Sequence, residues 1–159
     1  MSHCITVAGR WEAAHRLPQL GGKCQSLHGH SWSVEVTVTG DELDSDGKLI
    51  RFEDVKRPLS GWVKEHLDHG TLLGVSDPLV EPLRDAGQKL YLFDPAEVYD
   101  GPPALTQGLE WPTVENVAVL LGRVASTFVK GLDDAGGPWH VGVAVRETPD
   151  NRAGWGTWV

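Results

Sequence analysis

The 159 residues suffice for one domain, 1–159, that buries a core without staples. No stretch approaches the roughly 18 uninterrupted apolar residues of a membrane span, and Met1-Ser2-His3-Cys4-Ile5-Thr6-Val7 lacks the basic-then-apolar order of an export signal. A formal charge of −8 lacks the broad basic footprint of a nucleic-acid binder, so neither nucleic acid nor membrane is an expected partner.

The chain opens on Ile5, Val7, Trp11, Ala13 and His15, which share parity and so one face of a strand. A second strand is plainer: Trp32-Ser33-Val34-Glu35-Val36-Thr37-Val38-Thr39 alternates apolar and polar residues. His28 and His30 share the parity of Trp32, Val34, Val36 and Val38. If that strand runs back through His28-Gly29-His30, both imidazoles leave the backbone on the packed side. Asp46-Gly47 then predicts a turn into a hairpin strand, Lys48-Leu49-Ile50-Arg51-Phe52.

From Glu53 to Leu67 the residues Val55, Leu59, Trp62, Val63 and Leu67 fall at helical spacing, with Glu53 and Asp54 in the first turn. Pro58 is tolerable only early in a helix, which argues for a start nearer to it. The stretch 74–112, with Asp77-Pro78, Asp94-Pro95 and Gly101-Pro102-Pro103, reads mainly as a loop-rich excursion, with room for a short strand from Lys89 to Phe93. Thr113 is placed as the N-cap of a second helix, whose Val114, Val117, Ala118, Leu121, Val124, Ala125 and Phe128 form an apolar stripe ending near Gly131. Trp139, Val141, Val143 and Val145 alternate in a last strand that delivers Glu147 at its end. This order predicts an α+β fold, an antiparallel sheet with helices gathered on one face. Ser33, Glu35, Thr37 and Thr39 lie on the other face, solvated or lining a polar interior between subunits.

Three neutral imidazoles, His15, His28 and His30, suit zinc, and a three-ligand site leaves a fourth position open for water or substrate. Taken singly, each histidine reads as a partly buried, hydrogen-bonded ring. A closed structural site of Cys24 with the three histidines is the competing arrangement. Beside a dication the Cys24 thiolate is favoured, making it a base or nucleophile. Cys4 reads as a small buried apolar residue. With only two cysteines there is no disulfide framework, which argues for a reducing compartment, and the cytoplasm fits best.

His69 can exchange a proton with Cys24, with Asp68 setting its tautomer. Adjacent residues on a helix do not face each other, so this pair needs a helix end or a subunit boundary. Otherwise it is a charged last turn favoured by the carbonyl end of the helix. A carboxylate at Glu147 can accept two parallel hydrogen bonds from a guanidine-like heterocycle edge, and solvent exposure is the plain alternative. Thr113 and Glu115 are explained by capping and the helix dipole, with a ligand role second. His3, His66 and His140 read as structural.

In this order the pieces resemble the family of 6-pyruvoyltetrahydropterin synthase and 6-carboxytetrahydropterin synthase over most of the chain. The resemblance rests on Trp11-Glu12-Ala13-Ala14-His15-Arg16-Leu17, Cys24-x-x-x-His28-Gly29-His30, Leu67-Asp68-His69, Pro112-Thr113-Val114-Glu115-Asn116 and Glu147-Thr148. The three-residue gap between Cys24 and His28 is similar to the carboxytetrahydropterin, or queuosine-pathway, branch; the pyruvoyl branch typically has a longer one. The resemblance implies a tunnelling fold: a four-stranded antiparallel sheet with two helices on one face, assembled into oligomeric barrels as trimers or hexamers with sites between subunits. It implies Zn2+ on His15, His28 and His30, Cys24 as base, Asp68 and His69 as relay, and Glu147 anchoring the pterin ring, with Thr113 and Glu115 as further substrate-binding candidates. Arg10, Arg16 and Lys23 are triphosphate candidates by proximity.

The implied enzyme is a lyase that converts 7,8-dihydroneopterin triphosphate to 6-carboxy-5,6,7,8-tetrahydropterin, acetaldehyde and triphosphate. The alternatives are the pyruvoyltetrahydropterin synthase reaction, which stops at triphosphate elimination and internal redox, and a non-catalytic zinc or pterin-binding module. Against the latter stand Cys24, Asp68 and His69, because binding alone needs no proton relay. The chain departs from the family pattern at Arg51-Phe52, where relatives usually carry Asp-Phe, and at Trp11 and Trp155, where Phe and Tyr are commoner. Its stretch 77–107 is also longer, and is expected to cover the site or extend the oligomer.

Overall fold

The computed structural model describes residues 1–94, 105–132 and 137–159. Its elements are β1 (His3–His15), β2 (His28–Gly40), α1 (Phe52–His66), β3 (Gly70–Gly74), α2 (Val80–Asp85), β4 (Leu90–Phe93), α3 (Val114–Lys130), β5 (His140–Arg146) and β6 (Arg152–Trp158). The six strands form one sheet in the order β4-β3-β1-β2-β5-β6. The α+β class agrees with expectation; the four-stranded antiparallel sheet does not. Strands β1, β2, β5 and β6 are antiparallel to their neighbours, whereas β3 runs parallel to β1 and β4 parallel to β3.

Strands β3 and β6 have a physical reason for escaping the alternation pattern. Every residue of Gly70-Thr71-Leu72-Leu73-Gly74 is buried, as expected of a parallel strand covered on both faces, which shows no period of two. The edge strand β6 interleaves Gly154 and Gly156 with half-buried Ala153, Trp155 and Thr157, a composition that reads as turn rather than strand. The excursion 74–112 holds β4, which falls within the short strand expected from Lys89 to Phe93, and also a short helix, α2, that was not expected. Its Pro95 and Gly101-Pro102-Pro103 signals lie outside the described residues.

The predicted hairpin strand at 48–52 is absent. The Asp44 carboxylate accepts from the backbone N–H groups of Asp46 and Lys48, each at 2.9 Å, closing a side-chain turn that competes with ladder pairing. Leu49 and Ile50 are nevertheless buried, plugging the core beneath Trp139, whose ring lies where a Cβ on Gly40 would sit, 2.5 Å away. Anchored this way, α1 starts at Phe52 and runs through Pro58, earlier than the proline alone suggests. The lost hydrogen bond is offset by burial of Val55, Leu59 and Val63.

Helices α1 and α3 pack on one sheet face, over Val7 and Trp11 of β1, Trp32, Val34, Val36 and Val38 of β2, and Val141, Val143 and Val145 of β5. Trp11 and Trp32 stack at 5.8 Å with an interplanar angle of 12°. Gly122 lets α3 seat on β6, since a Cβ there would stand 2.0 Å from the Trp155 ring. On the opposite face Glu35 is exposed, Ser33, Thr37 and Thr39 are half-buried, and Thr6 and Thr37 join hydroxyls at 2.8 Å. Cys4 is exposed, not buried as expected, because its parity puts it on this open face. Among the described residues no helix is long and apolar enough to cross a membrane.

Candidate metal centre

Register builds the site. In the β1–β2 ladder His15 stands directly opposite His28, and Ala13 opposite His30. Three imidazoles therefore gather where the two strands meet, on the core-facing side. One ligand nitrogen from each of His15, His28 and His30 lies within 4.8 Å of the others. Nitrogens on one tetrahedral zinc stand roughly 3.3 Å apart, so a small contraction of the rings closes the set on an ion. Trp32 packs in T-shaped contact with the rings of His15 and His30, at 5.0 and 5.8 Å between centroids, an apolar neighbour that restricts their orientation.

Hydrogen bonds fix the tautomers. His15 is 1 % exposed, and its Nδ1 lies 2.9 Å from the Pro112 carbonyl; since a carbonyl only accepts, Nδ1 carries the proton and Nε2 the lone pair. That Nε2 is buried with no hydrogen-bond partner among the described residues, an arrangement costing about 1–3 kcal/mol unless something binds it. The Nδ1–H of His28 donates to the Ser26 carbonyl at 2.7 Å in the same way. An outer hydrogen bond on Nδ1 with a free Nε2 is the usual posture of a metal-bound histidine. Burial, reinforced by His28 and His30, lowers the His15 pKa to about 4 despite the opposing Pro112 carbonyl. Burial also lowers His30, against the pull of Glu147. Both rings are thus held neutral, the form that coordinates.

Glu147, one residue past β5, keeps the parity of Val141, Val143 and Val145 and so turns toward this face. Its Oε2 lies 3.8 Å from Nε2 of His15, with the side chain 20 % exposed, so it belongs to the site rather than to solvent. Cys24 sits on a 3-10 turn, Gly22–Gln25, between β1 and β2, half-buried, with its carbonyl accepting from the Leu17 N–H at 2.8 Å. It does not join the three-imidazole set. Among the described residues the competing Cys-plus-three-His set is not gathered.

Asp68 and His69 lie beyond the end of α1, and His69 has φ +57°, a left-handed turn that brings its Nδ1 to 3.1 Å from Asp68 Oδ1. This supplies the helix end that the adjacent pair requires. The Glu12 N–H donates to Asp68 Oδ1 at 3.1 Å, and the Glu12 carbonyl accepts from the His69 N–H at 2.7 Å. The Glu12 N–H, followed by the His69 imidazole, holds the Asp68 carboxyl below the usual carboxylate range. His69 and His30 line one open groove of about 400 Å³ with Glu12, Ser31 and Thr71. Within the described residues no hydrogen bond joins Cys24 to Asp68 or His69.

Thr113 caps α3, accepting from the Asn116 N–H at 3.2 Å, and Glu115 is exposed in the first turn. Arg16 pairs with the fully buried Asp77 carboxylate at 3.2 Å, which occupies one of the three triphosphate candidates; Arg10 and Lys23 are exposed. Arg51 is 77 % exposed near Asp54. Sequence reasoning missed the Pro112 and Ser26 carbonyls and the Glu12 backbone. Backbone acceptors leave no residue-type signature, although Pro112 stands beside the capping threonine.

Residues 4–156 match the family model described as 6-pyruvoyl tetrahydropterin synthase. The 6-carboxy-5,6,7,8-tetrahydropterin synthase of Bacillus subtilis is 44% identical over 138 residues, covering 86% of this chain and 73% of that one. The probable 6-carboxy-5,6,7,8-tetrahydropterin synthase of Halobacterium salinarum is 33% identical over 145 residues, covering 91% and 81%. Among solved structures, the 6-pyruvoyl tetrahydropterin synthase of Plasmodium vivax superposes with a TM-score of 0.73 over 100% of this chain and 99% of that one at 15% identity, a likeness of fold.

Proposed function

The chain belongs to the 6-pyruvoyl tetrahydropterin synthase family, and from that premise we propose that it is a zinc-dependent 6-carboxy-5,6,7,8-tetrahydropterin synthase. Its substrate is 7,8-dihydroneopterin triphosphate, and with water taken up the products are 6-carboxy-5,6,7,8-tetrahydropterin, acetaldehyde and triphosphate. The observation that carries the reading is the set of three convergent imidazoles with the buried, unpartnered Nε2 of His15. The names of the two relatives above and the short Cys24–His28 spacing support the carboxy branch over the pyruvoyl one.

His15, His28 and His30 would hold the Zn2+ ion, which when bound supplies Lewis acidity at a side-chain oxygen of the substrate. Cys24 acts as the base that takes a carbon-bound proton from that side chain. His69, oriented by the Asp68 carboxylate at 3.1 Å, carries the proton onward. Glu147 accepts two hydrogen bonds from the guanidine-like edge of the pterin. Thr113, by capping α3, keeps the preceding Pro112 carbonyl on His15.

Because no hydrogen bond joins Cys24 to Asp68 or His69 among the described residues, the relay is proposed to be completed by a second copy. Among the described residues, the edges open to it include β1 from His3 to Glu12, since β3 pairs only with Ala13 to His15, and β6 at the far side. A cytoplasmic trimer or hexamer follows as part of the same proposal. The test is to incubate zinc-loaded protein with dihydroneopterin triphosphate and identify products by mass spectrometry. Acetaldehyde with carboxytetrahydropterin is expected; pyruvoyltetrahydropterin, or unchanged substrate, overturns the assignment.

A further inference from the structure

Glu147 stands in an unusual position for a residue whose only task is to hold a substrate ring. Its Oε2 is 3.8 Å from His15 Nε2, the atom that faces the metal position, and ligands on one tetrahedral zinc are separated by roughly 3.3 Å. The backbone enforces this nearness. Arg146 closes β5 opposite Ser33 of β2, so the next residue along β5 lies beside Trp32, and its parity turns it to the imidazole side of the sheet. The carboxylate makes no hydrogen bond among the described residues, leaving both oxygens available.

Charge gives the same answer. Imidazole ligands coordinate as neutral groups, and the Glu147 carboxylate, 3.8 Å from His15 Nε2, is set to supply the counter-charge of a dication held there. A dication held by neutral ligands alone beside an apolar neighbour is poorly compensated, and one carboxylate halves the charge.

We propose that Glu147 is the fourth ligand of the resting metal centre and that an arriving pterin draws it away. The guanidine-like edge of the ring offers two parallel N–H donors, which satisfy the carboxylate as it leaves the ion. One side chain then both recognises the ring and opens the coordination place, so the ion is exposed to exchange only when a ring is seated. This deepens the reading given above and rests on its metal assignment, not on its product.

The test uses metal-free protein reloaded with Zn2+ or Co2+, and reads affinity and absorption rather than turnover. In chelator competition Glu147→Gln is expected to hold Zn2+ at least about tenfold more weakly than wild type, with the melting temperature of the metal-free form unchanged. The visible bands of the Co2+ wild type are expected to change when 7,8-dihydropterin, which lacks the side-chain hydroxyls, is added to saturation; those of Glu147→Gln are not. Equal Zn2+ affinity in both proteins overturns the ligand role, and Co2+ bands unmoved by bound dihydropterin overturn the exchange. Wild type that shows both effects but yields no carboxytetrahydropterin leaves this inference standing and removes the reaction assignment.

Discussion

The Nδ1–H of His15 donates to the Pro112 carbonyl at 2.9 Å across a sequence separation of 97 residues. One bond thus ties the end of β1 to the entry of α3 and settles which nitrogen of His15 is left for a ligand. Thr113, the cap of that helix, fixes the carbonyl that does it. The site is therefore built partly by a helix terminus that contributes no ligand of its own.

Cys24 lies outside the imidazole set, so its substitution separates chemistry from metal binding. Cys24→Ala is expected to retain one zinc per chain while turnover falls by about 10²–10⁴, the range for losing a positioned base. Zinc analysis alongside product formation checks this, and loss of zinc in the variant would make the thiol a ligand.

If the relay is completed by a second copy, two damaged proteins repair one another. Cys24→Ala and His69→Ala, each inactive alone, are expected to regain part of the wild-type activity when unfolded together and refolded as a mixture, because some mixed boundaries carry both intact groups. Activity no higher than that of either parent would place the relay within one chain.

The lowered pKa of His15, about 4 against an ordinary 6.5, couples folding to pH in the metal-free protein. Below pH 6.5 the unfolded chain binds a proton that the folded one refuses, so stability falls as pH drops through the window from 6.5 to 4 and levels off below it. The contribution is of order 3 kcal/mol. Urea unfolding of metal-free wild type and His15→Phe at several pH values should show a steeper fall of stability below pH 6.5 in wild type, with His30 leaving a smaller slope in the variant; parallel curves would contradict it.

Gly122 and Trp155 form a close contact that the family pattern of a smaller ring at 155 would not need. Gly122→Ala gains helix propensity of about 1 kcal/mol but places a Cβ 2.0 Å from the indole, and overpacking of this kind costs about 1–3 kcal/mol. A net loss in melting temperature is expected, reversed in the double variant with Trp155→Tyr. An unchanged melting temperature in Gly122→Ala would show that the ring moves freely.

Much of the site was legible because strand parity carries it. The shared phase of Trp11, Ala13 and His15, and of His28, His30 and Trp32, already places three imidazoles on one face. The capped α3 was equally plain from Thr113 to Gly131. What escaped was set by context. Strand β3 shows no alternation because both its faces are covered, and the 48–52 segment looks like a strand until Asp44 captures its backbone. The roles of Pro112 and Ser26 rest on carbonyls, which every residue possesses, and the pairing of Arg16 with buried Asp77 joins residues too far apart in sequence to be read as partners.

The central claim is a zinc ion held by nitrogen from His15, His28 and His30 with no sulfur in its shell. X-ray absorption at the zinc edge of protein purified with its metal measures this most directly. One zinc per chain with three imidazole scatterers at about 2.0–2.1 Å and only oxygen completing the shell is predicted. A sulfur scatterer at about 2.3 Å, or active protein without bound metal, would contradict it.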